Sequence, residues 1–145
     1  MKDIWVENSL KIWSRLAQQT RSEGTVLMLE NVYEQGPDDI LILLENLQDQ
    51  GVGFCLDTGH QAVFSSAPMD EWVKRMGPFL GQLHLHDNSG KEDEHSALGR
   101  GCIDFQSLFK QLIRANIPQP VVTLEPHSEE DLGPSLEYLD KIWPW

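Results

Sequence analysis

Four segments of the chain share one pattern, an apolar run that closes on a carboxylate or a histidine. They are VLMLEN, closing around Glu30; VGFCLDTGH, closing at Asp57 and His60; GQLHLHD, closing at His84 to Asp87; and VVTLEPH, closing at Glu125. Short apolar runs of this kind read as strands buried on both faces, the signature of a parallel sheet. Parallel strands bring their C-terminal ends to one rim, so the polar groups that close the runs are expected to meet there. Glu30, Asp57, His84 and Glu125 recur at intervals close to the ~30 residues of one βαβ unit, the last interval being longer.

Helical patterns fill the spaces between the runs. Leu10, Trp13, Leu16 and Ala17 predict a first helix, capped at Asn8 or Ser9 and stopped by Gly24. A strand is expected over 25–32, then a helix opened by Pro37, Asp38 and Asp39 that carries Ile40, Leu41, Leu43, Leu44 and Leu47 to about Gln50. Gly51 hands over to a strand over 52–57, followed by a loop containing Ser65, Ser66 and Pro68. MDEWVKRM reads as a short helix and 79–86 as the third strand. Residues 87–101 have no periodicity and are rich in charge and glycine, and an irregular stretch of that length points to function. Asp104 is expected to cap a helix with Phe105, Leu108, Phe109, Leu112 and Ile113 on its apolar face. A last strand over 121–125 precedes a helix carrying Leu132, Leu136, Leu139, Ile142 and Trp143. One helix followed by four β-α units predicts an α/β domain over residues 1–145, with a parallel sheet and right-handed crossovers.

Charge narrows the partners. The net charge is -12, with 23 acidic residues against 11 Lys and Arg and no basic patch. Small substrates and divalent cations suit that field, and nucleic acid is not an expected partner. Cys55 and Cys102 have no C-x-x-C spacing and are expected as reduced thiols. The N-terminus lacks the apolar core of a signal peptide and no run approaches ~18 apolar residues, so the expected location is the cytoplasm, without a membrane span.

Three carboxylates and one imidazole at neighbouring strand ends form a hard four-ligand set suited to Mn²⁺, Mg²⁺, Co²⁺ or Zn²⁺. Without a cation, carboxylates facing one cavity would repel one another. His60 follows Asp57 by three residues in LDTGH, where Gly59 is expected to make the tight turn that aims both side chains at one site. His86 is expected to point away from His84, into the surrounding layer, and His127 to line the rim. Trp5, Trp13, Trp72, Trp143 and Trp145 are read as packing groups.

The segments LEN, LDTGH, HLHDNSGKEDEHSALGRGCIDF and TLEPH resemble the xylose-isomerase-like TIM-barrel superfamily, which contains sugar isomerases, ketose 3-epimerases and metal-dependent apurinic endonucleases. The third segment is the most specific, with Asp93, His95, Leu98, Gly99, Gly101 and Ile103 in order. The resemblance runs from about Val26 to the C-terminus. It implies a (βα)4 half of such a barrel, strands five to eight, preceded by the fourth helix.

In the epimerase branch it implies one metal on Glu30, Asp57, His84 and Glu125, with Glu30 and Glu125 as acid and base on opposite faces of a sugar carbon and His60 on substrate oxygens. In the endonuclease branch it implies that His60, Asp93 and His95 serve further metals. Arg100 departs from the acidic residue common between the two glycines and is read as exposed.

Four parallel strands leave two open edges and an uncovered inner face, so completion by a homodimer or by packing against further barrel strands is expected. The expected function is that of a divalent-metal-dependent isomerase or epimerase acting on a small sugar or sugar phosphate. The alternatives are a non-catalytic metal-binding or oligomerisation module and an apurinic-endonuclease-like phosphodiesterase remnant.

Overall fold

The four runs become four strands of one parallel sheet, in the order β1-β2-β3-β4. The structure, a computed structural model, describes residues 1–145. The strands are β1 (Met28–Glu30), β2 (Gly53–Asp57), β3 (Leu80–Leu85) and β4 (Val121–Leu124). The helices are α1 (Lys2–Ser22), α2 (Asp38–Leu47), α3 (Thr58–Phe64), α4 (Met69–Met76), α5 (Phe105–Arg114) and α6 (Glu129–Ile142). No helix is long and apolar enough to cross a membrane. This is the (βα)4 half of a TIM barrel.

Alternation along each strand separates the two faces. Leu29, Phe54, Leu56, Leu83 and Leu85 are buried beneath the helices, where they meet Leu44, Leu47, Trp72, Phe105, Phe109 and Leu112. Trp72 is fully buried and lies near-parallel to the Phe54 ring, with its indole N–H on Ser65 Oγ at 2.9 Å. On the opposite face, Gln82 donates to Thr123 Oγ1, and Met28 lies over Gly53 and Gly81, where any Cβ would overlap its thioether. The register skips Gly81 between the Phe54↔Leu80 and Cys55↔Gln82 pairs, a bulge that resets β3 so that Asp57 stands opposite His84.

Several elements differ from the sequence reading. α1 starts at Lys2, ahead of the expected cap at Asn8 or Ser9, because Val6, Leu10, Trp13 and Ala17 form one continuous stripe against the core. Gly24 marks its end with a φ of +73°. β1 is shorter than expected, since β2 is its only neighbour in the sheet. Residues 58–64 form a helix, α3, where a turn and loop were expected, because Asp57 caps it by accepting from the His60 N–H at 2.7 Å.

Ile113 on α5 and Leu132 and Leu136 on α6 are exposed, whereas Ser135 is the buried residue of α6. Leu139 and Ile142 pack on the core as expected. Of the five tryptophans, Trp5 and Trp143 are partly exposed, at 43% and 37%, and Trp143 still packs edge-on against Phe109 and Trp145. Cys55 is buried and Cys102 exposed, both as free thiols.

Candidate metal centre

Glu30, Asp57 and His84 bring one ligand atom each within 4.8 Å of one another at the strand ends, and Glu125 reaches His84 Nδ1 from β4 without joining that mutually close set. His84 Nδ1 lies 3.4 Å from Glu30 Oε1, 3.9 Å from Asp57 Oδ2 and 3.2 Å from Glu125 Oε1. The two glutamates arrive from the two edge strands and approach the histidine from opposite sides of the sheet's rim. Asp57 is fully buried and held from two directions. Asn31 bridges β1 to β2, its amide donating to Asp57 O at 2.9 Å and its Oδ1 accepting from Asp57 N at 2.9 Å. The Gln82 amide lies 2.9 Å from His84 Nε2. The facing atom is the amide nitrogen, which only donates, so His84 Nε2 accepts from it and Nδ1 is the nitrogen turned toward the carboxylates.

A second cluster adjoins the first. One ligand atom each from His60, His86, Asp93 and His95 lie within 4.8 Å of one another. His60, Asp93 and His95 were expected there. His86 was not, and the expectation that it points away from His84 is reversed, since residues two apart share a strand face. Its ring is fully buried, with Nε2 at 3.0 and 3.2 Å from the two Asp57 oxygens. The reading of Gly59 as a tight turn is corrected too. It is helical, and its lack of a side chain makes room for the His86 ring.

The irregular stretch after β3 is organised by Asp87. Its buried carboxylate accepts four backbone N–H groups, from Asn88 (2.9 Å), Gly99 (3.0 Å), Gly101 (2.9 Å) and Ile103 (3.1 Å). A Cβ at Gly101 would overlap Asn88 backbone and the Asp87 carboxylate, so glycine is required there. His95 sits in the same loop with a φ of +50°, an uncommon conformation for a residue other than glycine. Its Nδ1–H donates to Glu125 O at 2.7 Å, and its ring lies between those of His86 and His127, with centroids 3.5 and 3.9 Å away. His127 is exposed on the rim, as expected. Arg100 is exposed and pairs with Asp131.

The sequence reading missed Asn31, His86, Asp87 and Asn88 as groups that build the site. The signal was present: each follows directly on a strand in LEN or HLHDN, and all four are buried polar residues.

The charges at the rim are coupled. The His60 ring, and after it His84, holds the Glu30 carboxyl at about 2, well below its usual range. Glu30 in turn pushes His60 up to about 9, and it raises His84 as well, against the desolvation that lowers both. Burial, reinforced by Glu30 and Asp57, raises the Cys55 thiol, which keeps it protonated and unreactive.

Both clusters fit a divalent cation on their own geometry. Of the four buried side-chain polar atoms without a hydrogen-bond partner, His84 Nδ1, His86 Nδ1 and Asp93 Oδ1 lie at these clusters. Buried polar groups are rarely left unpaired, and a cation would satisfy all three. A surface cleft of about 680 Å³ lies elsewhere, between α4 and α5 and lined by Leu80 at the start of β3. It contains none of these groups.

Comparisons with known proteins agree with the fold. A D-tagatose 3-epimerase-like protein superimposes with a TM-score of 0.82 at 23% identity, over 94% of this chain and 54% of that one. The D-allulose 3-epimerase of Methylomonas sp. superimposes with a TM-score of 0.72 at 25% identity, over 95% and 48%. The "Probable endonuclease 4" of Mesomycoplasma hyopneumoniae is 26% identical over 137 residues, covering 78% of this chain and 50% of that protein. The chain spans about half the length of the relatives it matches. The family model described as "Xylose isomerase-like TIM barrel" matches residues 6–142, nearly the whole chain. The chain is therefore a member of the xylose isomerase-like TIM barrel family.

Proposed function

We propose that this chain carries the metal and acid-base half of a divalent-metal-dependent isomerase or epimerase acting on a small sugar or sugar phosphate. Glu30, Asp57, His84 and Glu125 would hold one ion, Mn²⁺, Mg²⁺, Co²⁺ or Zn²⁺. Such an ion supplies polarisation of a carbonyl and its neighbouring hydroxyl. Glu30 and Glu125 act on the carbon beside that carbonyl, one taking its proton and the other returning one. The observation that carries this reading is the placement of the two glutamates, 3.4 and 3.2 Å from the same His84 nitrogen but on opposite edge strands. The likeness to a D-allulose 3-epimerase supports the substrate class.

His60, Asp93 and His95 form a second site in this reading, serving a further metal or substrate oxygens. That cluster, with the endonuclease 4 relatives, is what favours phosphodiester cleavage as a second reading, and the net charge of -12 weighs against it. A non-catalytic metal-binding module is the third.

A homodimer would cover the two sheet edges. Apolar groups are exposed at both, Val26 just before β1 and Val121 at the start of β4. A melting temperature that rises with protein concentration is the expected result, and a concentration-independent monomer refutes dimer completion.

Activity is tested by turnover of a ketose panel with Mn²⁺ or Co²⁺ and by exchange of the carbon-bound proton with solvent. Glu125→Gln is expected to abolish both. No exchange on any substrate, with Glu125→Gln indistinguishable from wild type, would refute catalysis and leave the metal-binding module.

A further inference from the structure

We infer that two copies of this chain close one eight-strand barrel, with α1 of each copy lying along α6 of the other. The inference rests on the reading of the chain as a homodimer. It goes beyond that reading in naming the two faces that meet, their order around the barrel and what the second copy brings to the metal rim.

The topology puts α1 and α6 at the two open edges of the sheet. α1 leads into β1 and packs against α2, which joins β1 to β2. α6 follows β4 and packs against α5, with Tyr138 on Phe105, while α4 packs against α5 as well. Short connections join α1 to β1 and β4 to α6, so both helices run opposite to the strands and parallel to each other. At about 100° per residue, each helix turns an apolar stripe to its unoccupied flank. On α1 the flank toward α2 carries Ser14 and Arg21, which bond Gln50 and the Asp49 carbonyl; Trp5, Ile12 and Leu16 lie on the opposite flank. On α6 Tyr138 marks the flank toward α5, and Leu132 and Leu136 lie on the other, exposed at 42% and 52%. Ile12 and Leu16, like Leu132 and Leu136, are i, i+4 pairs, the rows whose ridges seat in the grooves of a neighbouring helix.

Charge selects a second copy as the occupant. Lys11 and Arg15 border the α1 stripe on its solvent side, and Glu137 and Asp140 border the α6 stripe, all four exposed. Arg15, Glu137 and Asp140 enter none of the ion pairs that Lys and Arg make within the chain. At a net charge of -12 two copies repel at long range, and this seam sets cations of one against carboxylates of the other. Parallel pairing of β1 with β4 of the other copy continues the pattern of every strand pair in the sheet and removes both open edges. A two-fold axis along the barrel makes the two seams identical. Both rims then open at one mouth. Glu30 of one copy comes onto the strand beside Glu125 of the other, so the second copy walls the side of the metal centre that a single copy leaves open to water.

The test is sedimentation of the wild type and of two charge-reversed forms, Lys11→Glu with Arg15→Glu, and Glu137→Lys with Asp140→Lys. The wild type is expected to be a dimer. Each reversed form alone sets like charges together at both seams and is expected to dimerise about tenfold more weakly or worse. An equimolar mixture of the two restores opposite charges at both seams and with them the dimer. A wild type that stays monomeric at high micromolar concentration overturns the homodimer reading and this inference together. A wild-type dimer whose reversed forms associate as tightly as it does, or whose mixture is no tighter than its components, keeps the homodimer and overturns the seam. Carbodiimide coupling of wild type mixed from isotopically light and heavy chains needs no variant. Links from Lys11 of one copy to Glu137 or Asp140 of the other are expected, and links between copies confined to Lys11 and Glu7 would set α1 against α1 and overturn the inference.

Discussion

Replacing Gly59 with alanine tests whether His86 is seated as described. A glycine inside a helix costs about 0.5–1 kcal/mol relative to alanine, so Gly59→Ala in α3 would ordinarily stabilise. Here the new methyl would overlap Cε1, Nδ1 and Nε2 of His86, none of them farther than 2.5 Å. The ring is fully buried between Gly59, Asp57 and His95 and has no space to retreat into. Displacing it costs roughly 1–3 kcal/mol of overpacking, plus about 1.5–3 kcal/mol for the lost hydrogen bond to the Asp57 carboxylate. After the helical gain the net destabilisation is about 2–5 kcal/mol. At ~2–4 °C per kcal/mol this is a readily measured fall in melting temperature. In a His86→Ala background the clash is gone, and the same change is expected to stabilise by about 0.5–1 kcal/mol. A single Gly59→Ala variant that melts at or above the wild-type temperature would refute the seating of His86 and the brace it gives Asp57.

Three further outcomes follow from the same geometry. Asp87→Asn replaces one oxygen of a buried acceptor with a donor and strands two backbone N–H groups, so urea denaturation should reveal a loss of roughly 2–5 kcal/mol, with amide exchange quickening across residues 88–103; a change below about 0.5 kcal/mol, the scatter of ordinary surface substitutions, would mean that Asp87 does not organise the loop. Glu30, held down at about 2, and His60, pushed up to about 9, set opposite limits on the stability of the metal-stripped protein. The Glu30 contribution is present above its ordinary carboxylate range and fades as pH falls toward 2; the His60 contribution is whole below its ordinary value near 6.5 and fades as pH rises through 9. Thermal melts in chelator should therefore peak between these ranges, and a flat profile from pH 5 to pH 10 would contradict the pairing. Asn31→Ala removes both bonds that tie Asp57 to β1 and is expected to cost about 1–3 kcal/mol and to weaken metal binding at the first site; unchanged affinity in a metal titration would show that the clamp does not position Asp57.

The sheet was legible because burial on both faces leaves a direct mark on sequence. LMLE, GFCLD, LHLH and VVTLE each place apolar residues toward the helices and close on a group that has no reason to end a buried run other than the rim itself. The four first-site residues followed from that logic alone. What stayed hidden depended on neighbours distant in sequence. Asp57 turns residues 58–64 into a helix by capping it, and local propensity around Gly59 gives no hint of that cap. Leu132 and Leu136 sit at helical spacing but on the side of α6 away from the core, and only the packing of Tyr138, Leu139 and Ile142 decides which side faces in. His86 was misplaced by a slip in strand periodicity: it is two residues from His84, shares its face, and its buried ring is hydrogen-bonded to Asp57.

The two clusters are best understood as one electrostatic unit. Asp57 lies within reach of His84 and His86, and Asp93 within reach of His60, His86 and His95, so each buried or half-buried carboxylate is surrounded by imidazoles. Glu30 bridges the clusters on the other side, touching His60 at 3.4 Å and His84 at 3.4 Å. A cation entering the first site competes with the His60 and His84 protons that hold the Glu30 carboxyl down, and metal binding that displaces protons is favoured as pH rises. A cation on His60 Nε2 puts two positive charges beside Glu30 where the proton put one, and two cations a few ångströms apart repel. Filling one site should therefore weaken the other. Titration of the metal-stripped protein with Zn²⁺ gives the sign of that coupling: a second equivalent that binds more weakly than the first is expected, and one that binds as tightly or more tightly would refute it.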